Sequence, residues 1–171
     1  TWDLGSNAPA VDGSHPGSVG SGSVSAPASD DAWIDGGSVD ANHGSETTMR
    51  VDSAGGGLGD GRAVVKFDLS GVPAGVTITG ANLKLTKVGG GDIGRTSGVY
   101  PLTTDWSEGT VDWDTPWTGG GDYGPEVANL SVGGNAEYTW SSAGLTNLVS
   151  SWYQGTTANE GLIFGEVKAF Y

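Results

Sequence analysis

Residues with apolar side chains alternate with polar ones along Arg62–Leu69, where Ala63, Val65, Phe67 and Leu69 fall on one face of an extended chain. A Gly71-Val-Pro-Ala-Gly75 turn follows, and Ala81, Leu83 and Leu85 resume the period of two. The same short alternation recurs at Ala32–Asp35, Thr47–Asp52, Gly98–Thr103, Ala136–Trp140 and Gly161–Val167, with the second strand of the hairpin extending over Thr77–Val88. Glycine clusters at 55–61, 89–94 and 119–124 separate these runs. Many short strands without a whole-unit repeat predict an all-β fold, an antiparallel β-sandwich of the jelly-roll kind. One segment departs from the period of two. Leu145, Leu148, Val149 and Trp152 recur at helical spacing, so Ala143–Tyr153 is expected as one short helix capping an end of the sandwich.

Residues 1–29 are rich in Gly, Ser, Ala and Pro and read as an arm or linker. Trp2 and Leu4 favour an arm laid along the sandwich over a free linker. Residues 30–171 form the module, and 171 residues suffice for one domain with a buried core. The chain starts at Thr1 and shows no signal peptide, so it is expected to be a processed product or a piece of a larger protein.

Composition narrows the partners. A formal charge of −13 argues against nucleic acid and against anionic membrane surfaces. No run of about 18 apolar residues occurs, hence no membrane-spanning helix is expected. Cysteine is absent, so any cross-links must be of another kind. Catalytic patterns are missing as well. The histidines are His15 and His43, and neither sits in a Ser-His-Asp arrangement or a His-Glu-x-x-His run. Twenty acidic residues make some carboxylate pair inevitable, which is no sign of a glycosidase.

Several stretches resemble one family. Phe67-Asp-Leu-Ser-Gly-Val-Pro-Ala-Gly75 with Ala81-Asn-Leu-Lys-Leu85, Asn42-His-Gly-Ser with Arg50-Val51, Asp105-Trp-Ser-Glu-Gly-Thr-Val-Asp-Trp113, and Leu148-Val-Ser-Ser-Trp-Tyr153 with Asn159-Glu-Gly-Leu-Ile-Phe164 stand in the order of DNRLRE-type domains, close to carbohydrate-binding modules of family 96. The resemblance covers about residues 31–168. It implies a non-catalytic module of a secreted or cell-surface protein, joined to other domains and binding a polysaccharide, with alginate the associated ligand. The alternative is a structural β-sandwich segment of a surface or adhesive protein, since fold does not settle function.

Residue types sharpen that reading. Sugar sites combine an aromatic face with planar polar groups. Trp106 and Trp113 are expected in the core and Trp152 on the packed face of the helix, while the side taken by Trp33 stays open. Trp117 and Tyr123, in a glycine-rich loop, are the candidates for stacking on sugar rings. Only seven basic residues occur, and alternation turns Arg50, Arg62, Lys66 and Lys84 outward. If their strands share a sheet, these four form a positive strip suited to a uronate polymer. They could equally pair with Asp52, Asp68 or Glu46 as cross-strand neighbours. Structural Ca2+ is the expected cofactor, with Asp31, Asp35, Asp40, Asn42 and Asp60 as candidate ligands on glycine-bent loops. The competing reading has Asn42 capping its own loop.

Overall fold

In the computed structural model, residues 2–6, 22–52, 60–90 and 94–167 are described. The strands are β1 (Trp2–Ser6), β2 (Gly22–Ala26), β3 (Ala28–Asp35), β4 (Gly61–Phe67), β5 (Gly80–Thr86), β6 (Arg95–Pro101), β7 (Ala128–Val132), β8 (Glu137–Ser141) and β9 (Leu162–Val167), with α1 (Ala143–Tyr153) between the last two. They form a four-stranded sheet in the order β2-β1-β5-β8 and a five-stranded sheet in the order β3-β4-β9-β6-β7, all pairs antiparallel. The fold is an all-β sandwich with a single short helix. Within the Gly/Ser-rich segment 1–29, β1 lies between β2 and β5.

The core between the sheets follows from the alternation. Ala63, Val65 and Phe67 of β4 meet Ala81 and Leu83 of β5, Trp140 of β8 and Phe164 of β9. Leu145, Val149 and Trp152 of α1 close the same core. The helix starts where Ser142 accepts a hydrogen bond from the Leu145 amide at 2.8 Å, satisfying one of the free N–H groups of a first turn.

A second core lies on the other face of the five-stranded sheet. Ala32 and Ile34 of β3, Val64 of β4 and Ile163 of β9 are buried beneath Leu102, Trp106, Val111 and Trp117. The 26-residue connection between β6 and β7 (residues 102–127) folds back over that face. This explains why five consecutive residues of β4, Gly61–Val65, are buried although the sequence alternates.

Two expectations change. Thr47–Asp52 forms no strand: Met49 and Val51 still pack against the inter-sheet core, but the segment has no sheet neighbour. Ala128–Val132, not expected as a strand, is the edge strand β7.

Candidate functional site

The expected positive strip does not assemble, for two physical reasons. Lys84 sits on β5, in the opposite sheet from Arg62 and Lys66, opposite Thr139. Arg62 and Lys66 do share the outer face of β4, but the connection 102–127 covers them. Arg62 is only 9% exposed. Its guanidinium lies 4.5 Å from the Trp113 ring centre and 6.0 Å from that of Tyr123, and Nη1 donates to the Gly120 carbonyl. Burial pushes its pKa below the ordinary value, opposed by Tyr123 and Asp60.

Lys66 is held in the same way further along the strand. Its Nζ lies 5.2 Å from the Trp106 ring centre, donates to the Trp106 carbonyl at 2.7 Å, and pairs with Asp105. Glu160 stands 4.0 Å away. The lysine's hydrogen bond holds the Asp105 carboxyl below its usual range, whereas burial raises Glu160, reinforced by the charge of Asp105. Hence the Asp105–Trp113 stretch is a clamp: each of its tryptophans covers one cation of β4. These residues carry structure, and the lysine-carboxylate tie links β4 to two loops in a chain without disulfides.

Trp117 is not displayed. It is 3% exposed and fills the second core. Tyr123, the other stacking candidate, is 39% exposed.

The candidate calcium ligands lie on β3, in the loop that follows it and just before β4. Among the described residues no three of His, Cys, Asp and Glu are placed to hold a metal ion. The Asp35 carboxylate accepts from the Gly37 amide at 2.8 Å, Asp31 lies on β3 and Asp40 is exposed. Asp60 contributes its carbonyl to the Gly36 amide at 2.8 Å. Asn42 turns its amide nitrogen, not its oxygen, to the carbonyls of Glu108 and Val111, at 2.8 and 2.7 Å, and so ties two loops together. Its Oδ1 accepts from the Gly44 amide at 3.3 Å, the local cap that Asn commonly makes.

Of the four expected cations, Arg50 is the one that lines the cavity between the sheets. At one end of the sandwich the two sheets part around a cavity of about 1020 Å³. Leu85, Tyr138 and Trp140 come from one inner face and Ala63, Ser97 and Phe164 from the other. Arg50, Lys87 and Arg95 stand at this cavity together with Asp31, Glu46, Asp52 and Glu166. Arg50 is 64% exposed on its side chain, 3.6 Å from Asp52 and 5.6 Å from the Trp33 ring centre. Arg95 is 4.0 Å from Glu166, and Lys87 donates to the Gly133 carbonyl.

The segment bearing Arg50 is anchored through Trp33, which faces the cavity. His43 stacks on the indole with ring centres 3.7 Å apart, and Glu46 accepts from Trp33 Nε1 at 2.9 Å and bonds His43 Nδ1 at 2.7 Å. These hydrogen bonds, that of Trp33 first, hold the Glu46 carboxyl below its ordinary range. Strand alternation does not mark Lys87 and Arg95 as site residues. They come together because the chain passes between them from β5 of one sheet to β6 of the other.

A β-sandwich with a charged, partly apolar opening has the character of a binding module. Residues 22–168 match the model of carbohydrate-binding module family 96, and the chain belongs to that family. Among curated proteins, none matches the chain.

Proposed function

We propose that the module is non-catalytic and binds an acidic polysaccharide, a uronate polymer such as alginate, at the opening between the sheets. One observation carries this reading: Arg50, Lys87 and Arg95, from a chain with seven basic residues and a net charge of −13, border a single cavity. Guanidinium groups match carboxylates in a two-point hydrogen-bonded geometry, which favours Arg50 and Arg95 as the carboxylate contacts. Their ion pairs within the protein are long, 3.6 and 4.0 Å, so exchanging an internal carboxylate for one on the ligand loses little. The interleaved carboxylates offer acceptors to sugar hydroxyls and favour a polymer with spaced charges over a densely charged one. An exported protein with further domains, acting where polysaccharides lie outside the cell, belongs to the same proposal.

Affinity electrophoresis in gels containing alginate, pectin or a sulfated galactan tests it. Retardation in an alginate or pectin gel that is weakened by Arg95→Ala and Arg50→Ala, but not by Lys84→Ala on the opposite sheet face, is the expected result. Free migration in every gel would overturn it in favour of a structural β-sandwich segment.

A further inference from the structure

Val88, at the opening, and Tyr123, away from it, are the large apolar side chains that the described residues leave exposed. Tyr123 is not on a loose loop. Its backbone bridges to Leu102, the Thr103 amide donates to the Asp122 carbonyl at 3.0 Å, and the Gly124 amide to that of Pro101 at 2.9 Å. The ring packs edge-on against Tyr100, with centres 5.3 Å apart at 63°. Tyr100 in turn lies across Gly98 of the same strand, where a Cβ would stand 2.7 Å from its ring. The Tyr100 hydroxyl donates to Glu126 Oε2 at 3.0 Å, and Asn129 on the edge strand donates to the other oxygen of that carboxylate. Asp122, the residue before Tyr123, accepts from the Thr104 hydroxyl at 3.0 Å.

Packed on Tyr100 of β6, the exposed Tyr123 ring is thus fixed in orientation, with one hydrogen-bonded carboxylate on its chain neighbour Asp122 and another, Glu126, on its ring neighbour Tyr100. An aromatic face with oriented planar acceptors complements a pyranose, which has an apolar C–H face and a rim of hydroxyl donors. We infer that Tyr123, with Asp122 and Glu126 beside it, forms a second carbohydrate subsite that takes an uncharged sugar ring. The charge decides the ligand class. The cation beside Tyr123 is the buried Arg62, already bonded to Gly120, whereas Asp122 and Glu126 are exposed. A uronate there meets like charge, while a neutral sugar donates its hydroxyls to both carboxylates. The inference rests on the family's carbohydrate-binding character but asks for the opposite ligand charge from the opening between the sheets. A chain with both sites would bind mixed glycans more tightly than either site alone.

The test uses native gels containing a neutral β-glucan, a galactomannan or alginate, each compared with a gel lacking polysaccharide. The proteins are the wild type, Tyr123→Ala, Tyr123→Phe and Arg95→Ala, with melting temperatures as folding controls. Retardation of the wild type and Tyr123→Phe in a neutral gel is expected, with affinity falling roughly tenfold or more in Tyr123→Ala, the loss typical of an aromatic anchor. Arg95→Ala retains the neutral interaction. Free migration of the wild type in both neutral gels would overturn the inference, as would undiminished retardation of a folded Tyr123→Ala or loss in Tyr123→Phe. Failure of the acidic-polymer reading would show separately, as free migration of the wild type in alginate or an unchanged Arg95→Ala there.

Discussion

The guanidinium of Arg62 is stacked 4.5 Å from the centre of the Trp113 ring while its Nη1 is bonded to the carbonyl of Gly120, so a strand residue expected to face solvent is instead the pivot of a second core. A cation removed from water is stabilised by a ring face more than an exposed one is, on the order of 2 kcal/mol. Trp113→Leu is therefore expected to destabilise the fold by about 2 kcal/mol, and Arg62→Lys by a comparable amount because an ammonium cannot stack in the same plane. A double-mutant cycle of Trp113→Leu with Arg62→Met, read by urea denaturation, should give a coupling of roughly 1 kcal/mol or more. Additive losses would show that the two side chains merely neighbour each other.

Gly120 supplies the backbone that this stack needs. It adopts φ +89°, and a Cβ would stand 2.7 Å from the Trp113 ring and 2.8 Å from Arg62 Nη1. Gly75, at φ +80°, has nothing within 4 Å of its would-be Cβ. Gly75→Ala should cost only the left-handed backbone, about 1 kcal/mol, whereas Gly120→Ala should cost clearly more. Equal midpoint shifts in the two variants would mean that the stack yields freely to an added methyl group.

Around Lys66 the two carboxyls respond to pH in opposite senses. Asp105 is depressed below 3.8, so its contribution is present above that value and lost as pH falls through its lower folded-state pKa. Glu160 is raised above 4.5, first by burial and then by Asp105, so its ionisation costs stability at neutral pH. Glu160→Gln removes that charge and supplies an amide N–H to Asp105 in place of the O–H of the protonated carboxyl. Its melting temperature should exceed the wild type's by a few degrees or less at pH 7, because the pair is partly solvated. The difference should vanish as pH drops below 4.5, where wild-type Glu160 takes up its own proton. A lower melting temperature at pH 7 would mean that the attraction to Lys66 outweighs the burial.

The parts of this molecule legible in its sequence are those governed by local period. The β4 and β5 segments announce their inward faces through Ala63, Val65, Phe67, Ala81 and Leu83, and α1 spans the residues its spacing marks. Alternation, however, states only that two residues share a face. It does not state what covers that face, so Arg62 and Lys66 read as solvent cations until the connection 102–127 is folded over them. Trp117 departs from expectation for the same reason: a tryptophan among glycines packs inward when the glycines let the loop turn back on the sheet. The cations at the opening meet by tertiary structure. Arg50 comes from a segment without strand pairing, and Lys87 and Arg95 from opposite ends of the crossing between sheets, a juxtaposition no linear spacing encodes.

Asn42 separates two accounts of the loops it joins. As a calcium ligand it would present its side-chain oxygen, and Asn42→Asp would keep or strengthen the site, since calcium prefers carboxylate oxygens. In the structure it donates instead, to Glu108 O and Val111 O, with Gly44 packed so tightly beside the same loop that a Cβ there would stand 2.1 Å from the Glu108 carbonyl. Asn42→Asp puts an acceptor against two acceptors and leaves both carbonyls without this donor, at a cost of about 1–3 kcal/mol, more if the charge is poorly solvated. The expected result is a melting temperature lowered by several degrees, to the same extent in calcium chloride and in EDTA. A variant as stable as the wild type in calcium, and weaker only in EDTA, would assign Asn42 to a metal site and overturn the loop-tying role of its amide.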